Sequence, residues 1–398
     1  MPPVRFVACM VAAEVMGMLG ISAFAALLPE FSREWGLSAT EAGWISGLYY
    51  AGYVAAVPLL TAATDRMDPR RIYLAATALG GIANAGFALT ADGFWSAVAW
   101  QVLSGIGLAG TYMPGLKALT DRVAGPHQSR ALASYTAGFS LGISVSFLLA
   151  GWLGASHGWR WAFAASALGS AVALVVAAIA LAPSPFTARP VAARRLLDFR
   201  PVLANRAAMG FVVGYGFHVW ELFGLRSWIV AFLAFSLSLQ AAGTVSWSPS
   251  LVASLVALVG LVCSIGGNEL ALRRGRRRLL ALIMATSAVL ACAIGFIAAA
   301  PYWLVALACL VYGGFVMADS ASLTAGAVES AAAGQRGATM AVHSGIGFLG
   351  AFLGPLCFGA VLDLAGGPGR TAAWGFAFAS LGLAVACGAL AVLLLKPR

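Results

Sequence analysis

The chain has 398 residues, of which 61% are hydrophobic and 10% charged, and its formal net charge is +10. A water-soluble domain cannot cover so much apolar surface with so few polar residues, so the composition excludes the soluble fold classes. The basic residues lie mainly in short segments between apolar stretches, which favours a role in membrane topology over a nucleic-acid partner.

Twelve apolar stretches follow one another, each long enough for a helix to cross a bilayer core about 30 Å thick. Stretches of this length favour helices, because backbone polar groups in lipid must be satisfied within the segment. We predict spans 1 to 12 at 6–29, 42–64, 72–92, 94–120, 131–155, 160–182, 208–235, 249–271, 278–299, 301–325, 338–362 and 371–395. The predicted fold is an all-α integral membrane protein with two pseudo-symmetric six-helix halves, 1–182 and 207–398, joined by a cytoplasmic linker at 183–206.

The basic residues also predict the orientation of the chain. With both termini in the cytoplasm, nineteen of the 24 Lys and Arg residues fall in cytoplasmic segments, and only Arg33, Arg160 and Arg370 in external ones. Lys and Arg in short loops set topology, so we expect cytoplasmic termini and a bacterial inner membrane. The basic cluster at 273–278 serves this topology or contacts anionic membrane lipid.

The sequence contains no enzyme or metal-site signature. It has no phosphate-binding loop, which argues against an ATP-driven pump. Its six cysteines all fall in predicted spans without metal-ligand spacing, which favours packing roles. We therefore expect no enzymatic activity, no cofactor and no metal.

A repeated basic pattern indicates that the two halves are similar. Arg70-Arg71 recurs as Arg276-Arg277, and Arg130 recurs as Arg336, with a separation of 206 residues each time. Two similar membrane halves are a common architecture of secondary transporters.

The segment after span 2, Thr61-Ala-Ala-Thr-Asp65-Arg66-Met-Asp68-Pro69-Arg70-Arg71, resembles the Gly-x-x-x-Asp-Arg-x-Gly-Arg-Arg loop of the major facilitator superfamily. Both glycines are replaced and one residue is inserted; the second copy, 267–277, keeps its glycines but has Ala271 in place of the aspartate. The segments 105–110 and 158–163 resemble the superfamily's glycine-rich helix 4 and its Gly-Trp-Arg-x-x-Phe entry to helix 6. The loop style is also similar to that of cyanate-permease-like bacterial small-solute carriers.

This resemblance implies a gating loop made of Asp65, Arg66, Arg70 and Arg71. It implies that Asp65 interacts with the start of span 11, near residue 338, as a latch that breaks during transport. The alternative for Asp65 is a topology signal combined with a turn, which is the interpretation that we favour for Arg70 and Arg71.

Ionisable residues inside the spans are the candidates for the transport path. Each costs on the order of 3 kcal/mol in lipid, so it should face water or a partner. Glu14 in span 1 and Glu221 in span 7 are nearly symmetry mates, because 206 residues after Glu14 is position 220. The resemblance implies that spans 1, 4, 7 and 10 line a central cavity. Both glutamates are then candidate proton carriers or, alternatively, hydrogen-bonded packing residues.

Three further ionisable residues complete this predicted path. His218 shares a helix face with Glu221 and either relays the proton or is a satisfied core residue. Arg226 either binds an anion or extends toward the membrane surface, and its candidate counter-charges are Asp319, Glu14 and a bound anion. Aromatic and imidazole side chains that could line the cavity are Tyr49, Tyr53, Tyr112, Tyr135, Trp220 and His343.

These observations predict a secondary active transporter that moves a small, anionic solute by alternating access, coupled to protons. The alternatives are a proton-driven efflux antiporter for amphipathic compounds and a membrane sensor that binds a solute without moving it. We expect the partners to be the solute, protons and membrane lipid, and the protein to be a monomer.

Overall fold

The computed structural model describes residues 3–64, 66–123, 126–183, 199–241 and 247–396. All regular structure in these ranges is helical. The first predicted half contains α1 (Pro3–Gly17), α2 (Ala23–Ala26), α3 (Leu28–Glu34), α4 (Ala39–Ala63), α5 (Pro69–Thr90), α6 (Phe94–Arg122), α7 (Pro126–His157) and α8 (Trp159–Ala180). After it come α9 (Arg200–Ala204), α10 (Arg206–Ser238), α11 (Pro249–Arg274), α12 (Arg276–Ile294), α13 (Tyr302–Ala318), α14 (Ser320–Glu329), α15 (Arg336–Leu364) and α16 (Thr371–Leu394).

The predicted all-α membrane fold is confirmed, and each predicted span corresponds to helix in the structure. Ten helical segments are long and apolar enough to cross a membrane. The other two spans are α6 and the interrupted helix that comprises α1, α2 and α3. Most of the predicted linker, residues 184–198, lies outside the described residues.

Two spans are interrupted where the sequence pattern predicts continuous helix. Span 1 leaves the α-helical conformation after Gly17 and resumes at Ala23. Span 10 has a milder irregularity at Asp319, between α13 and α14, where the backbone stays in the right-handed helical region with φ −92° and ψ −20°. Interrupted helices within a membrane expose backbone groups, which is a common feature of transporter binding sites.

Two compact units are present, and the division cuts through α4. The first comprises residues 1–35 and 48–192, and the second residues 36–47 and 193–398. The amino-terminal part of α4 therefore packs with the second unit, whereas its carboxy-terminal part belongs to the first. The predicted boundary between the halves does not divide α4 in this way.

Two arginine side chains show which positions of the two halves correspond to each other. In the first unit Arg70 donates hydrogen bonds to the carbonyls of Ala178 and Leu181, at the end of α8. In the second unit Arg277 donates to the carbonyls of Val392 and Leu395, at the end of α16. Unpaired carbonyls at a helix end attract cations, so both arginines tie down the last helix of their half. The counterpart of Arg70 is thus Arg277 rather than Arg276, which corrects the separation at this point from 206 to 207 residues.

Close packing of α4 against α6 in the first unit depends on Gly105, because a Cβ there would overlap the backbone carbonyl of Tyr49. A Cβ at Gly80 in α5 would meet no atom within 4 Å. We expect Gly105→Ala to lower the melting temperature in detergent by several degrees, because the two backbones must separate. Gly80→Ala should be neutral or slightly stabilising, because alanine favours helix by up to about 1 kcal/mol. Equal melting temperatures for the two variants would show that α4 and α6 do not need this contact.

Candidate functional site

One face of α10 carries a buried polar cluster of the second unit. Tyr215, His218 and Glu221 follow one another at intervals of three residues, which places them on neighbouring positions of one helix face. His218 and Glu221 have no exposed surface. Groups this deeply buried are costly unless they are paired, so their partners define the site.

Glu221 is held by two hydroxyl groups. Its Oε1 atom accepts hydrogen bonds from Ser287 Oγ of α12 at 2.8 Å and from Tyr312 Oη of α13 at 3.0 Å. Its Oε2 atom is buried and has no hydrogen-bond partner among the described residues. The two hydroxyl groups thus fix one oxygen of the carboxyl group.

His218 pairs with Asp319, across from α10 at the break between α13 and α14. The Nδ1 atom lies 2.7 Å from Asp319 Oδ1, and both side chains are almost completely buried. Asp319, one of the candidate counter-charges of Arg226, thus contacts His218. The charge of Asp319 also acts on Glu221, so the two carboxyl groups and the imidazole form one electrostatic cluster.

Aromatic stacking extends this cluster to α15. The Tyr215 ring stacks on His343 at 3.9 Å between ring centroids, and its centroid lies 5.7 Å from that of His218. His343 Nε2 lies 3.2 Å from Thr324 Oγ1 of α14. Its Nδ1 atom is buried and has no hydrogen-bond partner among the described residues. Four helical segments of the second unit thus meet around two imidazoles.

Glu14 occupies a different environment in the first unit. Its side chain is buried, and neither carboxyl oxygen has a hydrogen-bond partner among the described residues. Its charge acts on Tyr73, Tyr112 and Tyr135, which surround it on three helices. A buried carboxyl group without a hydrogen-bond donor is costly in an apolar environment.

The predicted symmetry between Glu14 and Glu221 stays a prediction. With the separation of 207 residues that Arg70 and Arg277 give, Glu14 corresponds to position 221.

Arg226 lies in α10, five residues after Glu221. Its guanidinium lies 3.9 Å from Met317 Sδ and 5.4 Å from the centre of the Phe223 ring. The side chain is partly buried. Sulfur and aromatic neighbours contact the guanidinium favourably. Nearby in sequence, Trp220 has a buried Nε1 with no hydrogen-bond partner among the described residues.

The predicted gating loop is only partly described. Asp65 lies outside the described residues, so the predicted latch is not described either. Arg66 and Arg71 are exposed. Asp68 caps α5 by accepting a hydrogen bond from the Arg70 amide at 3.0 Å, and one of its oxygens lies 3.9 Å from the Arg122 guanidinium. Asp68 therefore fixes the start of α5 as an N-cap.

The other aromatic candidates are buried or partly buried in the first unit. Tyr49 borders a small cavity of about 20 Å³ between the first helices, together with Thr77, Asn84 and Thr111. This volume suits a single water molecule. Tyr53 is buried without bordering this cavity. Tyr135 donates a hydrogen bond to the carbonyl of Thr111, which fixes it beside Glu14.

Several partners in these clusters were not predicted from the sequence. Ser287, Tyr312, Tyr215 and Tyr73 all contact or influence an ionisable group that was predicted. Hydroxyl and aromatic residues are frequent in membrane helices, so their presence alone does not distinguish a site from packing. Only the helix interval of three between Tyr215 and His218 could have indicated a shared face.

Comparison with known proteins identifies the family. A family model described as Major Facilitator Superfamily matches residues 10–267, which is more than half of the chain. The chain belongs to the Major Facilitator Superfamily.

Two curated relatives illustrate the range of this Major Facilitator Superfamily similarity. A cis,cis-muconate transport protein of Acinetobacter baylyi is 24% identical over 223 residues, which are 54% of each chain. A multidrug resistance protein B homolog of Mycobacterium tuberculosis is 28% identical over 173 residues, 42% of this chain and 31% of that protein. The matches span about half or less of the length of these relatives.

The fold of one solved structure matches the fold of this chain over nearly its whole length. A mutant of the nucleoside transporter NupG superimposes with a TM-score of 0.81 at 15% sequence identity, covering 98% of this chain and 100% of that one. At this identity the likeness shows the shared fold alone.

The hydrogen bond from Tyr312 to Glu221 should contribute measurably to the stability of the protein. Tyr312→Phe removes a hydrogen bond to a buried carboxyl group, so we expect it to reduce stability by about 1–2 kcal/mol. Tyr302→Phe is a matched control, because the Tyr302 hydroxyl is buried and has no hydrogen-bond partner among the described residues. Thermal unfolding in detergent should show a lower melting temperature for the first variant only. A loss of the same size in the control would show that the Glu221 contact is not the cause.

Proposed function

We propose that this Major Facilitator Superfamily transporter moves a small, anionic solute by alternating access and couples the movement to protons. The observation that carries the proposal is the buried cluster of Glu221, Asp319 and His218 in the second unit. We place the transporter in a bacterial inner membrane with both termini cytoplasmic, as the distribution of basic residues favours.

The charges of this cluster support proton coupling. Two carboxylates that interact in a buried site cannot both be ionised at low cost, whereas one imidazolium neutralises only one of them. A change in the proton count of the cluster therefore changes its net charge and the strength of the contact between α10 and the α13–α14 break. That break is a point where a helix can adjust, so protonation and helix movement can be linked there.

Substitution of Glu221 separates exchange from accumulation. Glu221→Gln keeps the shape and the hydrogen bonds to Ser287 and Tyr312 but fixes the side chain as neutral. We expect liposomes with this variant to exchange labelled solute across the membrane at near the wild-type rate. Accumulation driven by a proton gradient should fall to background.

Ser287→Ala is the matched control for that experiment. It removes one hydrogen bond to Glu221 but leaves the carboxyl group able to titrate. We expect Ser287→Ala to retain accumulation. Full accumulation by the Glu221→Gln variant would exclude Glu221 as the coupling group.

The position of Arg226 supports the proposal that the solute is an anion. A guanidinium within a span is costly to bury, and cations at such positions commonly mark the path of a substrate. Arginine binds carboxylates through two parallel hydrogen bonds, which suits a small organic acid. The similarity to a muconate transport protein is in line with this choice of solute class.

A comparison of two substitutions tests the anion. Arg226→Ala should reduce the rate of uptake of a dicarboxylate such as cis,cis-muconate into liposomes by about 100-fold or more. The reason is the loss of the charge-assisted contact between the guanidinium and the carboxylate. Arg226→Lys keeps the charge and should retain part of the uptake, with a higher half-saturation concentration. Equal uptake by both variants and the wild-type protein would exclude Arg226 from solute binding.

Efflux of amphipathic compounds is the second candidate, and the likeness to a multidrug resistance protein favours it. An exporter of neutral compounds should tolerate Arg226→Ala, so the same pair of variants distinguishes the two candidates. A sensor that binds without transport would bind solute but show no flux in liposomes.

A further inference from the structure

The amino-terminal end of α4 is bound by a carboxylate from a distant helix of the second unit. Asp363, in the last turn of α15, accepts hydrogen bonds from the amides of Ala39 at 3.0 Å and Thr40 at 2.7 Å. It also accepts one from the Thr40 hydroxyl at 2.7 Å. More than 320 sequence positions separate Asp363 from these partners, so no local rule brings them together.

The free amides at the start of α4 explain why the carboxylate lies there. Ser38 and Glu41 form a capping box, in which Glu41 Oε2 accepts from the Ser38 amide and Ser38 Oγ accepts from the Glu41 amide. This box leaves the amides of Ala39 and Thr40 without an acceptor from their own helix. Asp363 supplies acceptors for these two amides, so the start of α4 is satisfied only when α15 is beside it.

Asp363 is unfavourably placed within its own helix. The carboxy-terminal end of a helix is negative, so an aspartate there is repelled by its own backbone. The positive amino-terminal end of α4 compensates this repulsion. A residue that contradicts the local preference of its helix indicates a requirement set elsewhere in the structure.

Glycines let the two backbones approach closely beside this contact. A Cβ at Gly43 of α4 would lie 2.7 Å from the Pro355 carbonyl, and a Cβ at Gly359 of α15 would overlap the Ala39 carbonyl. The same stretch of α4, residues 36–47, belongs to the second unit, whereas the rest of the helix belongs to the first. The hydrogen bonds of Asp363 thus hold the part of α4 that belongs to the second unit.

We propose that Asp363 is a positioning residue for transport: it clamps the amino-terminal end of α4 to α15 and releases it when the helices rearrange. This inference rests on the proposed alternating-access cycle. The resemblance to the superfamily loop implies that a carboxylate at the end of span 2, Asp65, acts on the start of span 11. Asp363 is the reverse arrangement, a carboxylate at the end of span 11 that acts on the start of span 2.

Cysteine labelling at Ala39 measures the release directly. Ala39 is buried, so Ala39→Cys should react slowly with a water-soluble maleimide in detergent. Labelling of the natural cysteines is subtracted with the protein that lacks this substitution. Asp363→Asn removes the negative charge and one of the two acceptor oxygens that bind the amides of α4. We therefore expect labelling of the introduced cysteine to accelerate about tenfold or more. Thr40→Val removes only the hydroxyl contact and should give a smaller increase.

Glu41→Gln is the matched control. It weakens the cap within α4 but does not touch α15, so labelling should stay near the wild-type rate. A similar acceleration by Glu41→Gln and Asp363→Asn would attribute the effect to fraying of α4 and overturn the clamp. Unchanged labelling in both Asp363→Asn and Thr40→Val would also overturn it. If Asp363→Asn does not fold, the Thr40→Val result decides.

Measurement of solute flux in liposomes distinguishes a failure of this inference from a failure of the proposed function. The labelling experiment needs no solute, so it reports on the clamp even when flux is absent. Absence of flux in the wild-type protein with a panel of organic anions would count against the proposed function. Accelerated labelling of Asp363→Asn together with a wild-type flux rate would show that release does not limit transport and would overturn the positioning role.

Discussion

The loss of water around a charged group inside a bilayer is the constraint on which this structure depends. The second unit satisfies this constraint by placing its buried polar groups in contact with one another. Glu221 receives two hydroxyl hydrogen bonds, and Asp319 faces the imidazole of His218. These contacts connect α10 with α12 and with the α13–α14 break. The groups that are costly to bury therefore also determine which helices must stay together.

The two halves share a skeleton but not its chemistry. Arg70 and Arg277 each bind the last carbonyls of the final helix in their half, which shows that the repeat preserves this structural contact. The halves differ in their buried ionisable groups. The first has a carboxyl group near phenol rings, and the second has an imidazole in contact with a carboxylate.

Helix ends carry much of the long-range organisation. A helix exposes unpaired amides at its start and unpaired carbonyls at its end, and in an apolar chain few side chains are available to satisfy them. The arginines that follow spans 2 and 8 satisfy carbonyls, and Asp363 satisfies amides of α4. Each such contact joins segments far apart in sequence. Polar residues are rare in this chain, and these few of them fix the arrangement of entire helices.

The sequence by itself determined the membrane spans, their limits to within a few residues, the superfamily and the ionisable residues inside the spans. It could do so because the length of an apolar run and the cost of a buried charge are local properties. Only the tertiary structure decided that Asp319 contacts His218, that Ser287 and Tyr312 bind Glu221, and that Asp363 caps α4. These pairings depend on the rotation of each helix about its axis and on the breaks in spans 1 and 10. Both follow from packing against other helices, which no pattern along one segment records.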